Sequence, residues 1–292
     1  MNNKQVRTKA DIAFNACNTL FMLLILVCTL YPFWYVIVCS FSSISHVTNS
    51  VILLLPDGIH LESYQQVFRN DLVPVAYGNT IFITVVGTAI SMILSSVSAF
   101  VLSRSELPGQ KAFTLFVVFT MLFNAGLVPF YLQVRDLGLL NSRMSLIWPF
   151  AISTYNTIIL RNFFKSVPNT LYEAASIDGS SYFRYFLQIL IPLSMPSLAT
   201  ITLFYAVSYW NGYFHSLIFI TDRTLHPIQA ILRQILMSSE FNNLLYDDGT
   251  QNLPSEMLKC AMIVVTALPI ICIYPFMQRF FVKGVMVGAV KG

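Results

Sequence analysis

The sequence predicts an all-α membrane protein with six transmembrane helices, and three observations support this prediction. First, 56% of the residues are hydrophobic and only 10% are charged, whereas soluble domains carry roughly 25% charged residues. Second, no Asp, Glu, Lys or Arg occurs between Asp11 and Asp57, and this stretch is longer than the about 20 residues that cross a bilayer. Third, five more apolar runs follow along the chain.

The six apolar runs define the predicted spans. The first covers residues 14–39, which exceeds the apolar core of a signal peptide and lacks a clear cleavage site, so we expect it to be retained. The others are residues 75–102, 112–132, 146–160, 193–214 and 260–277. The fourth is short, so we expect it to extend past Arg143 or Arg161, with their side chains reaching the interface. The predicted organisation is an N-terminus over residues 1–13, a membrane domain over 14–282 and a tail over 283–292.

The distribution of charge predicts the orientation. If the N-terminus is cytoplasmic, eleven of the 17 Lys and Arg residues lie inside and six lie outside. Cytoplasmic loops of membrane proteins carry the excess of basic residues. We therefore expect both termini to be cytoplasmic, with two sizeable outer loops over residues 40–74 and 215–257. The basic residues flank apolar runs and form no cluster, which is typical of contact with lipid headgroups and argues against a nucleic-acid partner.

One polar segment, residues 170–192, interrupts the apolar pattern on the predicted cytoplasmic side. Thr170 and Glu173 have the spacing of a capping box, which begins a helix. Gly179 can take the left-handed conformation that ends one. A second helix, apolar and aromatic, is expected over residues 181–189. The segment is therefore predicted to be a helix–bend–helix that offers a docking surface to a partner.

This segment resembles the EAA motif of ABC-importer permeases, in which Glu-Ala-Ala, a Gly and a later Ile-x-Leu-Pro recur at these intervals. The matching residues are Glu173, Ala174, Ala175, Gly179, Ile189 and Pro192, with Ile191 where Leu is usual. The resemblance implies that this coupling segment binds an ATPase subunit, with Glu173 facing it. The residues alone allow another interpretation, in which the Glu173 carboxylate only closes the capping box. Asp178 is either a second ATPase contact or a polar residue at the helix end.

Other parts of the chain resemble the second permease of oligosaccharide importers of the maltose-transporter type. They are residues 99–104, 126–131, 137–141, 210–211 and 281–292. This resemblance implies an assembly with a second permease of similar fold, two ATPase subunits and an extracytoplasmic solute-binding protein that delivers an oligosaccharide. ATP and Mg would be bound by the ATPases, and this chain would bind no cofactor. The implied location is the cytoplasmic membrane of a prokaryote, with the chain crossing it several times.

The C-terminal tail keeps apolar residues that a free polar tail would lack. The residues singled out there are Lys283, Gly284, Gly288 and Lys291. The family resemblance implies that this tail enters the space between the two ATPases, and the glycines would let its backbone approach a partner closely. The alternative is a helix end on the membrane surface, with both lysines toward lipid headgroups.

Several polar and aromatic residues in or near the spans are candidates for a neutral sugar path. They are Asn124, Tyr131, Tyr155, Asn156, Tyr209, Trp210 and Asn211. Their hydroxyl, amide and ring groups can hydrogen-bond and stack against a sugar. The alternative is structural, since polar side chains inside a membrane often join helices, and Trp is common at the interface.

Several functions are excluded because the sequence lacks the motifs and ionisable residues that they require. The sequence has no phosphate-binding loop of the Gly-x-x-x-x-Gly-Lys-Ser/Thr type, so ATP-driven work would belong to another subunit. The predicted spans contain no interior ionisable residue, which disfavours an ion-coupled carrier. No catalytic or metal-binding constellation stands out, so the chain is expected to be a transport subunit and not an enzyme. Two alternatives remain: the same machinery importing another solute class, or a pore or carrier that acts without ATP.

Overall fold

The structure is a computed structural model that describes residues 9–49, 54–123, 125–245 and 255–289. Every regular element in these ranges is a helix. The α-helices are α1 Lys9–Phe41, α2 Ile44–Asn49, α3 Glu62–Arg69, α4 Leu72–Ser103, α5 Gln110–Leu122, α6 Leu127–Asp136, α7 Thr154–Ser166, α8 Asn169–Ile177, α9 Tyr182–Tyr185, α10 Ile191–Leu193, α11 Met195–Trp210, α12 Phe214–Phe219, α13 Ile228–Leu245 and α14 Ser255–Ala289. Short 3-10 turns lie at Arg143–Leu146, Trp148–Phe150 and Arg223–Leu225, and a π-helical turn lies at Phe186–Leu190.

The chain divides into two compact units. One comprises the described parts of Met1–Asn70 and Ser238–Val265, and its small core forms where the end of α1 meets Val47, Met257 and Cys260. Most of α1 before that end is exposed, including its large apolar side chains. An exposed apolar helix of this length fits a lipid environment or a neighbouring membrane helix.

The second unit comprises the described parts of Asp71–Met237 and Thr266–Gly292, and its centre is the packing of α4 against α7 and α11. The buried residues of α4 follow one another at intervals of mostly three or four and so lie along one face of the helix. Many of them are small. Gly87 on this face is essential to the contact, because a methyl group there would lie 2.8 Å from the Tyr209 ring of α11. Small residues allow membrane helices to approach closely in this way.

Three described helices are long and apolar enough to cross a membrane. They are α1, α4 and residues Glu256–Ile273 of α14. The predicted first, second and sixth spans each coincide largely with one of these helices. Two further apolar pairs are bent, so the number of spans by length and composition is three, or up to five if each bent pair is one span.

The predicted third and fourth spans are not single helices. The third is broken between α5 and α6, which meet at an angle of 112°, around Gly126 with its φ of 86°. Residues 146–160, predicted as the fourth, contain the end of one 3-10 turn, a second turn and the beginning of α7. Pro149 cannot continue a ladder of helical hydrogen bonds, and a new helix begins after Ser153, whose side chain accepts the N–H of Asn156. The apolar composition of these runs did not reveal the breaks.

Candidate functional site

The first helix of the coupling segment, α8, begins directly after Pro168. The predicted capping box is wrong, because Pro168 occupies the N-cap position and the helix start has no side-chain cap. The Glu173 carboxylate instead accepts a hydrogen bond from the Asn169 amide at 3.2 Å on an exposed surface. Glu173 is therefore not needed to begin the helix, and its carboxylate faces outward.

The predicted end of α8 at Gly179 is confirmed. Gly179 has a φ of 73°, and the N–H groups of Gly179 and Ser180 donate to the carbonyls of Ser176 and Ala175. This pair of bonds is a Schellman motif, in which a glycine at the left-handed position satisfies the last carbonyls of a helix. Asp178 lies at the C-cap and is exposed.

The second helix of the segment is longer than predicted. It runs over Tyr182–Leu193 with a π-helical turn in the middle, begins at a cap made by the Ser181 side chain, and meets α11 at 84°. Pro192 has no N–H to donate, and the π-helical turn directly precedes the short helix that contains it. Ile189 is half-buried and Pro192 is exposed.

An aromatic cage around Arg104 holds the coupling segment against the end of α4. The Arg104 guanidinium lies 4.2 Å from the ring centre of Tyr172 in α8 and 4.7 Å from that of Tyr185 in α9. The same group lies 4.9 Å from the ring centre of Phe100 in α4. Tyr172 also stacks on Tyr182, with ring centres 5.2 Å apart. Cation–π contacts of this kind attract the guanidinium to each ring face, so one cation connects α4 with both helices of the segment.

A second arginine stabilises the same end of α4. The Arg161 Nε donates to the carbonyl of Leu102 at 2.9 Å, and the Gln110 side chain donates to the same carbonyl at 2.7 Å. Carbonyls in the last turn of a helix lack intrahelical partners, and cations there interact favourably with the helix dipole. Arg161, one of the two arginines expected to reach the membrane interface, thus caps the end of α4.

The outward surface of the coupling segment combines apolar side chains with the carboxylates of Glu173 and Asp178. Ile177 is 87% exposed and Phe183 is 69% exposed, while Glu173 and Ala174 are also exposed. Ala175 faces the other way and is only 7% exposed, as part of the core. Exposed apolar patches of this kind mark interaction surfaces. Of the two alanines, Ala174 lies on this surface and Ala175 packs into the core.

A cavity of about 400 Å³ lies among α4, α7, α11 and α12. Two of the predicted path residues, Asn156 and Tyr209, line it. Tyr205, Ser153 and His215 also line it and were not predicted. Tyr205 precedes Tyr209 by one helical turn of α11, so the spacing predicts that both lie on the same face of that helix. His215 was recognised only as an outer residue.

The two tyrosines of this cavity fix the surrounding backbone. The Tyr205 hydroxyl accepts the Ser153 N–H at 2.9 Å and lies 2.6 Å from the Ser95 hydroxyl. The Tyr209 hydroxyl lies 2.9 Å from the Ser91 hydroxyl. Buried hydroxyls that are paired in this way favour one arrangement of the helices. Both tyrosines therefore join helices as well as lining the cavity.

His215 packs among aromatic rings at the cavity wall. Its ring centre lies 4.6 Å from that of Phe150 and 5.9 Å from that of Phe130. Burial lowers the pKa of His215 below its ordinary value, because an apolar environment disfavours the charged form. The imidazole is therefore mainly neutral at pH 7.

The other predicted path residues lie elsewhere. Trp210 is buried and donates its indole N–H to the Thr266 carbonyl at 3.2 Å, so it joins α11 to α14. Tyr131 packs against Phe219, and Tyr155 and Asn211 are exposed outside the cavity lining. Asn124 lies outside the described residues. The structure thus brings together two of the seven predicted path residues.

The predicted tail residues fall at the end of α14. This helix passes through Lys283, Gly284 and Gly288 and continues to Ala289, while Lys291 lies outside the described residues. In the described part of the chain, no group of three or more His, Cys, Asp or Glu residues is placed to hold a metal ion.

Comparison with known proteins gives consistent results. Residues 82–287 match the protein family described as the binding-protein-dependent transport system inner membrane component. The chain is 43% identical over 269 residues to the polygalacturonan/rhamnogalacturonan transport system permease protein YtcP of Bacillus subtilis (strain 168), covering 91% of this chain and 94% of that protein. It is 40% identical to protein LplC of the same organism, over 98% of this chain and 97% of that one.

A solved structure is similar along nearly the whole chain. It belongs to a bacterial ABC transporter involved in the import of the acidic polysaccharide alginate. The matching chain has a TM-score of 0.87 and 35% sequence identity, and the match covers 95% of this chain and 100% of that one.

Proposed function

The chain belongs to the family of inner membrane components of binding-protein-dependent transport systems, and from this premise we propose that it is the permease subunit of an ATP-driven importer of oligosaccharides. It would cross the cytoplasmic membrane six times, with both termini in the cytoplasm. It would assemble with a second permease of similar fold, two ATPase subunits and an extracytoplasmic solute-binding protein. ATP and Mg would be bound by the ATPases.

One observation carries the proposal: a single helix connects the cavity with the docking surface. The start of α7 lines the cavity through its N-cap Ser153 and through Asn156, and its last turn is followed by Val167, Pro168 and α8. A helix of 13 residues is about 20 Å long. Movement of α8 by an ATPase would therefore be transmitted by a rigid helix to the cavity wall.

The Arg104 cage supports a second route for the same movement. Arg104 follows the last residue of α4, and α4 contributes Ile83 to the cavity and packs against α11 along its buried face. A segment whose Tyr172 and Tyr185 rings contact the Arg104 guanidinium would move together with α4. Coupling requires that ATPase closure favours one of two arrangements of these helices through contacts that differ between them.

The surfaces left exposed on the helices suit the proposed assembly. None of the residues of α5 is buried, and Leu115, Phe116 and Leu122 are among its most exposed side chains. Surfaces of this composition are stable only against lipid or another apolar helix. We infer that this surface contacts membrane lipid or the second permease.

The proposed substrate class follows from the relatives. YtcP is described as a polygalacturonan/rhamnogalacturonan transporter component, and the similar structure belongs to an alginate importer. Both substrates are polysaccharides, and a cavity lined by hydroxyl, amide and aromatic groups suits a sugar. The import of an oligosaccharide by this chain is our proposal from these likenesses.

The test is purification of the tagged chain from its own membranes, followed by transport measurements. We expect an ATPase and a second permease to co-purify, and the loaded binding protein to stimulate ATP hydrolysis. Uptake of labelled oligosaccharide should stop when the phosphate-loop lysine of the co-purified ATPase is replaced. Uptake that continues with the inactive ATPase would indicate an ATP-independent pore or carrier and overturn the proposal.

A further inference from the structure

A helix N-terminus, that of α7, lies beside the cavity described above. Ile152 and Ser153, which precede α7, and Asn156 in its first turn all line the cavity. The N-terminus of an α-helix carries a partial positive charge and N–H groups without intrahelical partners. A helix of 13 residues is long enough to develop this dipole.

Only part of this helix start is satisfied by the protein. The Ser153 hydroxyl accepts the Asn156 N–H, and the Ser153 N–H donates to Tyr205. Among the described residues, the N–H groups of Thr154 and Tyr155 have no hydrogen-bond acceptor. The helix therefore retains unused donors at the end that lies beside the cavity.

The Asn156 side chain gives an independent indication of a ligand. It is only 7% exposed, lines the cavity, and within the described part of the chain its amide makes no hydrogen bond. The amide of Asn79, which is buried to a similar degree, donates to the carbonyls of Thr224 and His226 at 2.7 and 3.1 Å. Since the Asn156 amide is accessible from the cavity, it is available to bind a group that enters there.

The surrounding chemistry selects the type of ligand. A helix N-terminus and an amide N–H both favour an anionic oxygen. No Lys or Arg lines the cavity, and His215 is mainly neutral at pH 7. A phosphate or sulfate is usually held by arginine, whereas a carboxylate of single charge needs only oriented donors. The rings of Tyr205, Tyr209 and Phe150 in the same wall can contact a sugar ring.

We propose that the first turn of α7 together with the Asn156 amide binds the carboxylate of a uronic acid residue as an acidic oligosaccharide passes through this cavity. This inference rests on the proposed function and specifies its substrate class. It assigns Asn156 the role of distinguishing a carboxylate from an uncharged group, while the aromatic wall would accept either form of the sugar.

The experiment compares each acid with its own neutral ester. Cells that carry the complete transport system would be supplied with labelled trigalacturonate or trimannuronate, each as the free acid and as the full methyl ester, and with maltotriose. Wild-type cells should take up at least one of the free acids faster than its ester. Asn156→Asp places a negative charge beside the carboxylate and should lower uptake of that acid at least about tenfold, with a much smaller effect on the ester. Asn156→Leu, which removes the donor without adding charge, should also lower uptake of the acid more than that of the ester.

The matched control is Asn162→Asp, which makes the same chemical change on the exposed side of the same helix. It should leave the ratio of acid to ester uptake unchanged. Co-purification of the ATPase with each variant measures assembly, and if Asn156→Asp does not assemble, Asn156→Leu decides the question. Equal losses for acid and ester in the assembled variants, or wild-type uptake of maltotriose without either acid, would overturn this inference and leave the proposed function intact. Failure of the wild type to take up any of the oligosaccharides would overturn both.

Discussion

The guanidinium of Arg104 lies 4.2 Å from the ring centre of Tyr172, and this contact joins the end of α4 to the first helix of the coupling segment. It brings together residues that are distant in sequence, and Tyr185 extends it to the second helix. Neither helix of the segment is long enough to be stable alone, so its shape depends on such tertiary contacts. We therefore regard the cage as the element that keeps the docking surface in a fixed orientation.

The first prediction concerns Arg104. Arg104→Met keeps much of the apolar stem and removes the cation, with the loss of about 0.5–2 kcal/mol for a cation–π contact. We expect the coupling segment to loosen and uptake to fall more than the amount of chain in the membrane. Arg104→Lys should recover part of the activity, because an ammonium retains the charge but not the planar stacking. Arg135→Ala is the control, since it removes an exposed arginine that pairs with the adjacent Asp136. Normal ATPase co-purification and uptake in Arg104→Met would contradict a role in holding the segment.

The second prediction separates the two interpretations of Glu173. Since the capping box is not formed, Glu173→Ala should affect the fold little but remove a charged contact with the ATPase. ATPase co-purification and uptake should both decrease while the amount of permease stays constant. Asn169→Ala is a matched control, because it removes the same 3.2 Å hydrogen bond and leaves the carboxylate in place. If both variants have the same effect, Glu173 acts only within α8 and the proposed ATPase contact is wrong.

Much of the coupling segment was predictable because its signals are local. A glycine that ends a helix and a serine that begins the next act through the backbone of their own neighbours, and the resemblance of Glu173, Ala174 and Ala175 to a known motif added the proposed role of binding an ATPase. The capping box failed for a local reason as well. The helix α8 begins at Asn169, before Thr170, so Pro168 takes the N-cap position, and its side chain has no acceptor to offer.

The cavity was less predictable because its residues are assembled from distant elements. Asn156 and Tyr209 were identified by their polar groups, but the same reasoning also selected Trp210, which joins two helices. The sequence could not distinguish a residue that lines the cavity from one that joins two helices. Both carry a polar group in an apolar run, and only the structure shows whether that group has a partner in the protein. The broken spans were missed for a related reason, since a run of apolar residues indicates contact with lipid or a core but does not show where the chain turns.

The third prediction concerns the bend at Gly179. Its φ of 73° disfavours any residue with a Cβ, at a cost of about 1–2 kcal/mol. Gly179→Ala should shift the start of the second helix and lower ATPase co-purification. The control is Gly78→Ala, because Gly78 lies within α4 and an added methyl there would meet nothing within 4 Å. Thermal unfolding of the purified complex should show a lower midpoint for Gly179→Ala only. Equal behaviour of the two variants would show that the Schellman bend does not limit assembly.

The last prediction concerns the end of α14, where the sequence left two interpretations open. The helix passes through Gly284 and Gly288, and glycine within a helix costs about 1 kcal/mol relative to alanine. Two such residues one turn apart weaken the helix but present a surface that another backbone can approach closely. If this surface lies between the ATPases, Gly284→Leu with Gly288→Leu should lower ATPase co-purification and uptake, as should removal of residues 285–292.

The variant Lys283→Ala with Lys291→Ala is the control, because it removes attraction to lipid headgroups and leaves the glycine surface unchanged. Loss of activity in this lysine variant, with normal activity in the glycine and truncated variants, would favour a helix end lying on the membrane. Cysteine pairs between residues 285–289 and the ATPase should cross-link in the assembled complex only if the end of α14 contacts that subunit.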